Sequence, residues 1–245
     1  DIFKMKIIKG GFKKMKKKVL IAILIIIVIA IAVVGYFVFS DMMQEDKLKT
    51  ELSELQQLVN TENIDMDAIN SRLDRTITTG DYAVVENAFK SYLRENFDNS
   101  IEIANILNDE KLTTLLTVEN YESDGKDFTE SKEYINTTRT KLEDCKNKYT
   151  EFFTEDKAMS YINDKGLDSY YTDLYRNELM GDMDLASQDT TVQDSIDELI
   201  SILNTSEEVL NLLSENQNAW EIEGEKIVFN SESLSNEYDE LINSL

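Results

Sequence analysis

"DFTESKEYINTTRTKLEDCKNKYTEFFT", residues 127–154, decides the fold class. Phe128, Ser131, Ile135, Thr138, Leu142, Cys145, Tyr149 and Phe152 follow one another at alternating steps of three and four, the repeat of one face of an α-helix. A helix of about 28 residues is roughly 42 Å long, so an elongated domain is expected. Asp127 and Glu130 are placed as a box-like start. The chain holds no proline, which leaves long helices unbroken.

The same period extends on both sides. Upstream, Asp81 is expected to cap a helix with the stripe Val85, Phe89, Tyr92/Leu93 and Phe97, fading toward Ala104 and Leu107. Residues 66–79 add Ile69, Leu73 and Ile77, and Leu48, Leu52, Leu55 and Val59 mark a helix over 41–60. Downstream, residues 156–180 carry Tyr161/Ile162, Leu167, Tyr170/Tyr171, Leu174/Tyr175 and Leu179, with a break at Gly166. Val192, Ile196, Leu199, Leu203, Leu210 and Leu213 mark a helix over 190–218, opened by Thr190 with Gln193. Glycines 80, 125, 166, 181 and 224 are read as punctuation. No segment recurs at the period of about 34 residues that a helical-hairpin array needs.

The period changes once. "WEIEGEKIVF", residues 220–229, alternates apolar and polar around a glycine. With Gly224-Glu225 as a two-residue type II′ turn, Trp220 faces Phe229, Ile222 faces Ile227 and Glu223 opposes Lys226. A lone hairpin is marginal in water, so it is expected to lie on the helices. Residues 231–245 close the chain as a short helix with Leu234, Tyr238, Leu241 and Leu245.

At the other end, Val19 to Phe39 gives 21 residues without a charge, apolar on every face. As a helix this stretch spans roughly 31 Å, the thickness of a bilayer's hydrocarbon core. Its only small-x-small pair, Ala30 and Ala32, lies inside the run, and no cysteine stands just past it, the sole one being Cys145, so it reads as an uncleaved anchor rather than a removed signal. Residues 1–18 hold eight lysines against Asp1, and acids follow the run. The positive-inside bias then makes residues 1–18 a basic cytoplasmic stub, 19–39 a single transmembrane anchor in the cell membrane, and 40–245 an acidic extracytoplasmic domain. Met15, ahead of three lysines, is the expected natural start.

Composition narrows the chemistry. Residues 40–245 hold 17 basic against 47 acidic side chains, a net of −30, which argues against nucleic acid and anionic lipid surfaces as partners. With no histidine there is no Ser-His-Asp or Cys-His apparatus and no histidine-bearing zinc site. Cys145 lies on an apolar stripe, which points to a buried, inert thiol. "GDMDLASQD", residues 181–189, clusters acids but puts Ala186 and Ser187 where a calcium loop needs a ligand and glycine, so a solvated loop is expected.

The sequence therefore reads as all-α. A single N-terminal transmembrane helix precedes an elongated extracytoplasmic helical bundle with a small C-terminal β-hairpin. No catalytic, metal or cofactor residues are assigned, and no cofactor is expected. The expected function is a non-enzymatic interaction or scaffold protein that meets a partner protein or envelope component. The alternatives are a ligand-binding or sensory domain acting through a partner, with Tyr170, Tyr171 and Tyr175 lining a groove, and an enzyme using carboxylates alone.

Overall fold

The computed structural model describes residues 3–6, 43–59, 65–186 and 190–245. Along them the chain forms β1 (Phe3–Lys6), α1 (Met43–Val59), α2 (Met66–Asp74), α3 (Asp81–Asn108), α4 (Glu110–Thr114), α5 (Val118–Asp124), α6 (Thr129–Phe152), α7 (Glu155–Met159), α8 (Ser169–Ala186), α9 (Thr191–Glu215), β2 (Trp220–Glu223), β3 (Lys226–Phe229) and α10 (Glu232–Asn243). The protein is mostly helical with one small antiparallel sheet. All eight residues of the 128–152 stripe are buried. So are Val85, Phe89, Tyr92, Leu93 and Phe97 of α3, and the six apolar positions expected on α9.

The chain divides into two compact units. One comprises Ala22–Glu102 and Cys145–Val192, the other Asp1–Ile21, Ile103–Asp144 and Gln193–Leu245. In the first, α1 contributes Leu48, Leu52 and Leu55 to the core, and α2 contributes Ile69 and Leu73. The Tyr92 ring stacks on Phe152 at 4.1 Å, and its hydroxyl donates to the Phe152 carbonyl at 2.6 Å. Asn99 Nδ2 donates to the Cys145 carbonyl at 2.9 Å. Helix starts are capped in the expected chemistry, Asp65 accepting from Ala68 N and Thr154 from Lys157 N.

In the second unit, two short helices fill residues 110–124, where the fading period had given no element. Asp109 caps α4 and Thr117 caps α5, and α5 closes on Gly125 at φ +78°. The expected Asp127 start of α6 is corrected. Asp124 does the capping, its Oδ1 accepting from Glu130 N at 3.0 Å and its Oδ2 from Ser131 N at 2.8 Å. Phe128 sits between them at φ +53°, an unusual backbone for a bulky residue. That left-handed step buries its ring beside Trp220 and Tyr121 and turns Asp127 toward Gln217, whose Nε2 donates to it at 2.6 Å.

The hairpin has the expected register, Trp220↔Phe229, Ile222↔Ile227 and Glu223↔Lys226. Gly224 takes φ +66° and Glu225 does not, as a type II′ turn requires. Trp220 Nε1 donates to the Leu213 carbonyl at 2.8 Å, and Phe229 packs on Tyr238 of α10. The sheet is larger than a hairpin, however. β1 pairs antiparallel with the free side of β3, giving the order β1-β3-β2. Neighbouring strands lie about 4.8 Å apart, so this pairing and a membrane between residues 1–18 and 40–245 exclude one another in a single molecule.

Among the described residues no helix is long and apolar enough to cross a membrane, and the expected span, residues 19–39, lies outside them. Gly181 does not break its helix, because α8 runs on to Ala186. The side chains of the acidic 181–189 cluster and Leu179 lie outside the described residues, as does that of Val59.

Candidate functional site

Among the described residues, the densest set of ionisable groups withdrawn from water is in the first unit, where α1, α2 and α3 meet. Its origin is one anomaly in an apolar stripe. Glu51 lies between Leu48 and Leu55 on the inward face of α1 and is 1% exposed. On α3, Glu86 follows Val85 and Lys90 follows Phe89, one helical turn apart, and they are 0% and 2% exposed. Isolated, such charges would each cost several kcal/mol. They are not isolated.

Lys90 Nζ donates to Glu51 Oε1 at 3.0 Å, Glu86 Oε1 at 2.7 Å and the Arg75 carbonyl at 2.8 Å, which uses all three ammonium protons. Glu51 also accepts from Arg72 at 3.0 Å and from Arg75 Nε at 2.9 Å, with a second Arg75 bond from Nη2. Arg72 additionally pairs with Glu54. Glu86 accepts from Thr78 N at 2.8 Å, Thr78 Oγ1 at 2.6 Å and Ile77 N at 3.0 Å, so it fixes the connection between α2 and α3. Outside this cluster, Arg94 ties α3 to Asp74 at 2.6 Å.

Burial by itself would raise the Glu51 carboxyl, but the bonds from Arg75 and Lys90 outweigh it and hold it below the ordinary carboxylate range. Burial also opposes ionisation of Glu86, and Lys90 and Thr78 overcome it in the same direction. Both are therefore ionised at neutral pH, fully bonded and balanced by cations. A general acid or base works best with a pKa near the working pH. This cluster instead ties three segments of chain together.

The groove residues expected from the sequence separate in the structure. Tyr175 is buried, with its hydroxyl donating to the Ala158 carbonyl at 2.8 Å and its ring 4.6 Å from Phe89. Tyr171 is half-buried, edge-on to Tyr82 at 5.1 Å, and Tyr170 packs edge-on to Tyr171 at 5.2 Å while 48% exposed. Only Tyr170 and Tyr171 reach the surface; Tyr175 belongs to the core. Cys145 is fully buried, where its stripe had put it.

Sequence reading missed the charge cluster because a Glu and a Lys four residues apart usually mark an exposed helix face. The available signal was Glu51, an acid at a core position of a leucine stripe. Comparison with protein families, with characterised proteins and with solved structures finds no match for this chain.

Proposed function

We propose that the protein is a membrane-anchored, extracytoplasmic interaction or scaffold protein, held by residues 19–39, that presents its acidic helical domain to a partner protein or envelope component. One observation carries this reading. The helix that follows the hydrophobic stretch, α1, is fixed by Glu51 to Arg72, Arg75 and Lys90 and by three buried leucines. A buried multivalent charge contact on the first helix would let an anchor fix the orientation of the domain as well as its place at the membrane. The net of −30 on residues 40–245 favours a partner with a basic surface.

A second reading, a ligand-binding domain acting through a partner, draws on the exposed Tyr170 beside Tyr171. Cross-linking in intact cells, followed by recovery of the protein and identification of its companions, separates the two. The scaffold reading expects a recurrent protein or envelope companion. Recovery of none, together with a small molecule that raises the unfolding temperature, overturns it. Protease added outside intact cells tests the orientation: an acidic domain that survives while known surface proteins are digested refutes it.

A further inference from the structure

We propose that the end of the first unit at which α1, α3 and α8 begin is a membrane-contact surface, which seats Tyr170, Tyr171 and Met43 in the headgroup layer of the bilayer. The proposal rests on the anchored reading above and deepens it by naming the face that the domain turns to the membrane.

Contacts between the helices place their starts together. Gln44 Nε2, in the first turn of α1, donates to Thr79 Oγ1 at 3.0 Å, just ahead of α3. Further along both helices Glu51 meets Lys90, so α1 and α3 run the same way from a shared end. Tyr82 in the first turn of α3 lies 5.1 Å from Tyr171 in the first turn of α8, and Phe89 lies 4.6 Å from Tyr175 one turn on. Thus α8 also starts at that end and runs beside α3.

That end carries the apolar surface. Among the described residues the exposed large hydrophobic side chains are Met43, 71% exposed, and Tyr170, 48% exposed. Scattered singly, such side chains would need no explanation. Here one is the first residue of α1 and the other the second of α8, and Tyr170 packs edge-on to Tyr171 at 5.2 Å. Asp168 Oδ1 accepts from Tyr170 N at 3.0 Å and fixes the backbone from which that ring projects.

The chain itself supplies the occupant. Four steps separate Phe39, the end of the proposed span, from Met43. They cover about 6 Å as helix and at most about 14 Å extended, against a headgroup layer of roughly 5–8 Å. The start of α1 therefore lies in or just above that layer, and the tyrosines at the same end come with it. Tyrosine favours this depth, where its ring is among apolar groups and its hydroxyl is wet. Asp81 and Asp168, both exposed, stand at the same end and would repel anionic lipid, so rings and thioether make the contact with a zwitterionic surface.

The test places the full chain in phosphatidylcholine vesicles that contain lipid with a nitroxide on its headgroup, a contact quencher of tryptophan. Tyr170→Trp reads the surface, with Ser169→Trp in its place if that chain does not fold. Met43→Trp reads the anchor, Asp98→Trp reads an exposed site about 25 Å along α3, and buried Trp220 in the parent gives the baseline. The expected result is quenching at 170 and 43 that exceeds that at 98 by about twofold or more, and that persists at about 1 M salt. Quenching at 43 with none above the level of 98 at 170 or 169 overturns the contact surface and leaves the anchor standing. No added quenching at 43 overturns the anchored reading, and the surface with it. Emission at 170 that shifts to the blue without quenching, and more so as protein is crowded in the vesicles, identifies a second copy as the occupant and overturns the bilayer.

Discussion

Replacing Lys90 by Met tests whether the buried charge cluster is what holds α1 to the first unit. Methionine keeps the aliphatic stem and removes three bonds, to Glu51 at 3.0 Å, Glu86 at 2.7 Å and the Arg75 carbonyl at 2.8 Å. Bonds to charged groups are worth about 1.5–3 kcal/mol each, and removing one partner of a buried pair costs about 3–5 kcal/mol once the remainder relaxes. Glu51 keeps Arg72 and Arg75, and Glu86 keeps Thr78 and Ile77, so the net loss belongs in that second range. At about 2–4 °C per kcal/mol for a chain of this size, the unfolding temperature falls by roughly 6–20 °C. Urea unfolding followed by circular dichroism reads the same loss, and hydrogen exchange shows whether α1 opens first.

The pH dependence carries its own sign. Glu51 and Glu86 are held below the ordinary value of 4.5, so the stability they contribute is present above that pH and is lost as pH falls through their lowered folded-state values. Without Lys90 both protonate at higher pH, so the gap between variant and parent narrows between pH 7 and pH 4. A loss under about 0.5 kcal/mol at pH 7, or a gap that widens on acidification, refutes the reasoning.

Three further outcomes follow from single positions. Asp124→Ala removes two bonds to the start of α6 and is expected to cost about 0.5–2 kcal/mol in urea unfolding, while Asp127→Ala, with one exposed bond to Gln217, costs less; the reverse order refutes the assigned cap. Gly125→Ala, at φ +78° and ψ 177°, has room for the methyl group but not the backbone conformation, and a loss of about 1–3 kcal/mol is expected from strain alone. Cys145, fully buried, should react with a thiol reagent only as fast as its surroundings open, so labelling accelerates through the urea transition; rapid labelling in buffer contradicts the buried stripe.

What the sequence made legible were features in which local chemistry and long-range packing agree. The eight-residue stripe of 128–152 is buried throughout because a three-four period leaves one face and only one to cover. The hairpin register was readable because a two-residue turn fixes every pair beyond it. The misses arose where a distant contact outweighed a local rule. Gly181 does not end α8, since one glycine costs a helix only about 1 kcal/mol. Asp127 lost the cap to Asp124 once burial of the Phe128 ring imposed a left-handed step. Glu86 and Lys90 carry no mark of burial in sequence, because their partners come from elsewhere in the chain, Glu51 of α1 for Lys90 and the α2–α3 connection for Glu86. Of the three tyrosines, the local pattern could not say that Tyr175 alone packs on Phe89.

The pairing of β1 with β3 and the anchored reading make opposite demands on residues 1–18, and magnitudes decide between them. Four strand residues contribute at most about four net backbone bonds, at roughly 0.5–1.5 kcal/mol each, or about 2–6 kcal/mol before the entropy of ordering them. Against this stands the stretch Val19–Phe39, in which 16 of 21 residues are Leu, Ile, Val or Phe. At about 0.3–0.6 kcal/mol each on an insertion scale, those 16 alone favour the bilayer by roughly 5–10 kcal/mol, and the lysines ahead of them favour remaining inside. On the proposed anchored reading, insertion outweighs the strand where a membrane is present, and residues 3–6 would leave the sheet. Away from a membrane the balance reverses, because nothing opposes the pairing. A chain carrying Lys6→Cys and Lys226→Cys, directly opposed across β1 and β3, should accordingly form a disulfide when purified in aqueous buffer and fail to form it in intact cells. A disulfide in both settings refutes the membrane span, and one in neither refutes the β1–β3 pairing.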